Sequence, residues 1–131
     1  MGIKFNLNNL NRVNEAIAGA FEATVEAYAE QCQIELLSDK WEWPRTTHRQ
    51  NGEVVTSPRD AVDQGDLLDS QDVEYLDDST ALLHYNSGHA LDVYAGKVEN
   101  GVLKPSRPWL DTALEEIDLT QVMAEELRDR L

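Results

Sequence analysis

The chain has a single cysteine, four prolines, two phenylalanines and only 11 basic side chains among its 131 residues. The lone Cys32 excludes an internal disulfide and a cysteine-rich zinc site, and its place in a helical pattern makes it a small buried hydrophobe. The longest apolar run, residues 16–21, falls far short of the ~20 residues that span a bilayer. No basic then apolar N-terminal stretch announces secretion, so a soluble chain made in a cytosol, with no membrane partner, is expected. Met1-Gly2 does not extend to a myristoylation motif, because Asn6 stands where Ser or Thr is required.

Catalytic signatures are equally scarce. His48, His84 and His89 show no HExxH or other tight ligand spacing. No serine occupies a Gly-x-Ser-x-Gly elbow, and the seven glycines are too scattered to cradle a phosphate. No enzyme activity, cofactor or metal is therefore expected.

What the chain has in excess is acid, with a net charge of -14. Residues 60–79 alone carry eight acidic side chains and no basic one. Such a surface repels phosphates and disfavours specific nucleic-acid binding. Asp60, Asp63, Asp66, Asp69 and Asp72 recur every third residue, which does not supply the ligand order of an EF-hand and reads as a solvated face. The basic exception is Arg45, His48, Arg49 and Arg59, downstream of Trp41 and Trp43; it suits an acidic partner surface better than DNA.

Length and composition fit one domain spanning 1–131. From residue 8 to about 37, Leu10, Val13, Ile17, Phe21, Val25, Tyr28 and Cys32 recur at helical spacing, with N-cap candidates at Asn8, Asn9 and Asn11. The small residues Ala16, Ala18, Gly19, Ala20 and Ala23 suit close packing across a sheet. Residues 44–58 read as an exposed loop or hairpin around Asn51-Gly52, and 73–86 as a hairpin with Ala81, Leu83 and Tyr85 on one face. A short helical turn or strand end over 89–94 precedes a projecting hairpin at 97–104, turned by Asn100-Gly101. Trp109, Ala113, Leu114 and Ile117 share a face of a following helix, and 118–131 forms a C-terminal helix. The fold class is α+β: a long N-terminal helix packed on an antiparallel β-sheet, with a C-terminal helix and a projecting loop and hairpin.

Four motifs go further: Trp41-x-Trp43-Pro44; Ser57-Pro58-Arg59-Asp60-x-Val62-Asp63-x-Gly65-x-Leu67-x-x-Ser70; His89-Ala90-x-x-Val93-Tyr94-x-Gly96; and Arg107-Pro108-Trp109-Leu110-x-x-Ala113-Leu114. Their order and spacing resemble the tail-completion, or head-to-tail joining, proteins of long-tailed bacteriophages. The chain departs from the family pattern at Gln64, His89 and Tyr94. The resemblance implies a virion protein of the neck, assembled in the host cytoplasm. It would form a homo-oligomeric ring, expected to be a hexamer, between the head connector or stopper and the tail tube. DNA would pass through the lumen without specific binding. Candidate interface residues are Trp41, Trp43, Arg45, Arg49, Arg59, Lys97, Asn100 and Trp109, with a core role favoured over an interface role for the three tryptophans. The rival reading is a monomeric acidic binding module, a nucleic-acid mimic or inhibitor.

Overall fold

The computed structural model describes residues 6–41, 47–48, 52, 54–55, 66–88 and 90–131. Helix α1 spans Leu7–Leu37, about 46 Å at 1.5 Å per residue. Its N-cap is Asn6, whose Oδ1 accepts from the Asn9 N–H at 2.9 Å, so none of the three predicted asparagines caps the helix. Each of those three already lies inside the first turns, and only the residue before Leu7 keeps the extended backbone that a cap needs.

Short elements follow: β1 (Thr47–His48), β2 (Val54–Val55), α2 (Asp66–Asp69), β3 (Gln71–Asp77), β4 (Thr80–Tyr85), α3 (Ala90–Ala95), β5 (Lys97–Glu99) and β6 (Val102–Lys104). Helices α4 (Trp109–Glu116) and α5 (Leu119–Arg130) close the chain. The architecture is α+β, as expected. The described strands nevertheless form three separate antiparallel pairs, β1–β2, β3–β4 and β5–β6, and not one continuous sheet. Each pair joins chain neighbours through its own turn. Gly52 at φ 86° lies between β1 and β2, and Asn100 and Gly101 at φ 52° and 76° make the β5–β6 turn. At the β3–β4 turn, the Asp77 carboxylate accepts from the Ser79 N–H at 2.8 Å.

The small-residue face of α1 meets a helix where a sheet was expected. Ala16, Ala20 and Thr24 are buried, and α5 packs along α1 more extensively than any other helix does. Small side chains let two helix backbones approach closely, and periodicity alone does not distinguish a helix from a sheet as the partner. Asp118 caps α5 through its carboxylate, and Leu119, Val122, Met123 and Leu127 are half-buried. Leu131 is exposed.

The main core gathers around Trp109, which joins Cys32 and Leu36 of α1, Trp41, Leu67 of α2, Val93 of α3 and Ala113 of α4. Tyr85 and Tyr94 meet the Trp109 ring edge-on, at centroid distances of 5.2 and 5.7 Å. Leu114 is half-exposed, because five residues beyond Trp109 it points about 140° away from it around the helix. The β3–β4 hairpin is tied to α1 by side chains: Gln71 Nε2 donates to the Ala29 carbonyl at 2.8 Å, and Tyr85 OH donates to Gln33 Oε1 at 2.7 Å. Ala81, Leu83 and Tyr85 share the inward face of β4, as their alternation predicts.

Candidate functional site

The anticipated interface residues separate into three groups. Trp109 is 1% exposed and Trp41 is 8% exposed, so both are core residues and neither is a free interface anchor. Trp41 Nε1 donates to the Glu35 carbonyl at 2.7 Å, and Lys40 both lies over the Trp41 ring and pairs with the buried Glu35 carboxylate. That cluster closes the C-terminal end of α1. Lys97 and Asn100 belong to the β5–β6 hairpin, where Asn100 supplies a positive φ and Lys97 stands opposite Lys104. Trp43, Arg45, Arg49 and Arg59 lie outside the described residues.

The motif residues fare differently. Leu67, Val93, Trp109 and Ala113 are buried together, and Arg107, 2% exposed, is engaged within the chain. Ser70 Oγ donates to the Leu67 carbonyl at 2.8 Å, and Gly96, at φ 75°, ends α3 by donating to the Asp92 carbonyl. Tyr94 OH donates to Asp111 Oδ2 at 2.6 Å. These positions therefore build the fold.

No group of three or more metal-ligating side chains converges among the described residues. His84 lies on the exposed hairpin, 3.3 Å from the Asp72 carboxylate and 2.9 Å from Asn86 Oδ1. His48 contributes backbone to β1, and His89 is outside the described residues. Of the acidic repeat, Asp66, Asp69 and Asp72 are exposed on α2 and β3, and Asp60 and Asp63 are outside the described residues.

Among the described residues, a cavity of about 450 Å³ lies between α1, β4 and the α4–α5 junction, lined by Phe21, Val25, Tyr28, Leu82, Leu83 and Leu119. Its two hydroxyls are spent internally. Thr24 Oγ1 donates to the Ala20 carbonyl at 2.7 Å, and Tyr28 OH donates to the Leu110 carbonyl at 2.8 Å. Burial drives the Tyr28 hydroxyl well above its usual range and lifts the Cys32 thiol to about 11. The groove therefore presents apolar surface and no free proton donor for chemistry. On β3, the strand paired with β4, Tyr75 OH donates to the Glu22 backbone carbonyl at 3.4 Å.

A second apolar surface is the β5–β6 hairpin. Val98 and Leu103 face each other across the ladder and are 69% and 65% exposed. Sequence reasoning singled out this hairpin through Lys97 and Asn100 but not its apolar pair, and it passed over the groove. The Val98–Leu103 pair was legible as two apolar residues symmetric about Asn100-Gly101, whereas the groove joins positions about 60 and 100 residues apart and leaves no local signal. No family model, curated protein or solved structure matches the chain.

Proposed function

We propose that this chain is a structural subunit of a tailed-bacteriophage neck, forming a ring that completes or terminates the tail and joins it to the head connector. The carrying observation is the convergence of the motifs. Trp41, Leu67, Val93, Trp109 and Ala113 come from four separated segments and pack into one core, so the resemblance rests on fold-forming positions acting together. Support also comes from the exposed apolar groove and hairpin, features suited to protein contacts. The partners in this reading are further copies of the chain, the head connector or stopper and the tail tube. The carboxylates of α2 and β3 would line the passage and repel DNA in transit.

One observation favours the alternative of an acidic binding module: Asp66, Asp69, Asp72, Glu74, Asp77 and Asp78 are all exposed along consecutive elements. Light scattering after size separation, on the chain alone and mixed with tail-tube and connector proteins, separates the two. The neck reading expects a ring-sized species or a stable co-complex with those proteins. A 14.8 kDa monomer that ignores both and binds a basic protein instead would replace it with the acidic module.

A further inference from the structure

We propose that the Asn100-Gly101 turn is a site of spontaneous covalent change, in which the Gly101 backbone nitrogen attacks the Asn100 side-chain carbonyl whenever the β5–β6 hairpin opens. The inference stands apart from the neck reading and needs no partner. Asn100 is exposed and holds φ 52°, and Gly101 beside it holds φ 76°. The strand register pairs Glu99 with Val102, so these two residues form the whole loop. Within the described residues, neither the Gly101 N–H nor the Asn100 side chain makes a hydrogen bond. Glycine leaves its nitrogen unshielded, where a side chain would obstruct the approach. The other described asparagines lack this setting. Those at the start of α1 cap or build the helix and precede residues that carry side chains, and Asn86 is followed by Ser87, with its Oδ1 2.9 Å from His84 Nδ1.

The step balances with water as the sole co-reactant. A bond forms between the Gly101 nitrogen and Asn100 Cγ, the Cγ–Nδ2 bond breaks, and the Gly101 amide proton leaves with Nδ2 as ammonia. Water then opens the cyclic imide at either carbonyl. Opening at the side-chain carbonyl gives an aspartyl residue; opening at the main-chain carbonyl gives an isoaspartyl link, which lengthens the backbone by a methylene. The closed hairpin holds the reaction back, because type I′ geometry sets the Asn100 Cβ and the Gly101 nitrogen on opposite sides of the Cα–C bond. Ring closure therefore waits for the turn to open. Opening is easy: among the described strands β5 and β6 pair only with each other, no other element packs extensively on them, and a lone two-stranded hairpin is marginally stable. Either product adds a negative charge, and the longer isoaspartyl backbone cannot rebuild the two-residue turn.

The test holds full-length protein at mildly alkaline pH and physiological temperature, native and in urea, and follows the peptide containing position 100 by mass spectrometry, with the isoaspartyl form separated by chromatography. Asn51-Gly52 in the unfolded chain supplies a reference with the same dipeptide. The native chain is expected to convert at position 100 at a rate within about tenfold of the urea rate, with both products present and the asparagines of α1 unchanged. Amide hydrogen exchange over 97–104 should quicken in the isoaspartyl fraction. Gly101→Ala should slow the conversion severalfold, even though alanine is strained at φ 76° and loosens the turn. A native chain that stays intact at position 100 while the unfolded chain converts overturns the proposal, because the turn then stays shut. Conversion without any isoaspartyl form, or conversion that Gly101→Ala leaves as fast, overturns it as well, since water would then be hydrolysing the side chain directly.

Discussion

The two halves of α1 follow the same apolar rhythm and meet different fates. Along the C-terminal half, Cys32 and Leu36 are fully buried among Trp41, Leu67, Val93 and Trp109, side chains drawn from several elements. Along the N-terminal half the buried positions are Ala16 and Ala20, while Leu7, Leu10 and Ile17 are 72%, 47% and 41% exposed. Large side chains at one end collect a core from distant segments; small ones at the other admit a single helix, α5, at close range. Helical periodicity thus identifies a face to be covered but not how much protein arrives to cover it. The N-terminal half is held by backbone proximity and has little apolar mass with which to tolerate change.

The largest test of this contrast is Trp109→Ala. It removes the ring that Tyr85 and Tyr94 meet edge-on and should cost about 3–5 kcal/mol in urea unfolding. Ile17→Ser, at the other end, should stay within about 0.5 kcal/mol of wild type, as exposed substitutions do. Comparable losses at both positions would erase the distinction between the two halves.

Next comes an alkaline effect confined to the C-terminal half. Burial lifts the Cys32 thiol to about 11 and the Tyr85 hydroxyl to about 12, and raises Tyr28 further. The folded chain thus holds protons that the unfolded chain releases from pH about 9 upward. Since stability falls with pH wherever the unfolded state binds fewer protons, the contribution is complete below pH about 9 and is lost as pH rises through about 12. Urea midpoints measured across that range should decline steadily, and a flat profile would show that these groups are hydrated in the folded state.

Local chemistry explains which parts of the fold were readable in advance. Asn100-Gly101 announced its turn because few residue pairs adopt two successive positive φ angles, and both do so here. Alternation disclosed β4, and the Pro108-Trp109 step marked the start of α4 to within a residue. The true cap of α1 was hidden because four asparagines, Asn6, Asn8, Asn9 and Asn11, compete within six positions and only the folded backbone chooses among them. The partner of the alanine face was hidden because closeness is permitted equally to a helix and a sheet. Of the candidate site, Lys97 and Asn100 fall on the projecting hairpin, while Trp41 and Trp109 went to the core; an indole carries the same sequence signal in either place.

The close α1–α5 contact yields two smaller predictions of opposite sign. Ala20 is fully buried, so Ala20→Leu forces a branched side chain between helices already in contact and should cost about 1–3 kcal/mol. Gly19, one residue earlier, looks equally constrained, since a Cβ there would lie 2.7 Å from Arg130 Nε. That obstacle, however, is the far end of a flexible side chain near the chain terminus, bonded to Glu126 of its own helix and free to swing outward. Against this small displacement stands the cost of glycine in a helix interior, about 1 kcal/mol relative to alanine. Gly19→Ala should therefore stabilise the protein by about 0.5–1 kcal/mol in urea unfolding. A loss in its place would show that Arg130 is locked in position and that the α1–α5 contact is as rigid as the core around Trp109.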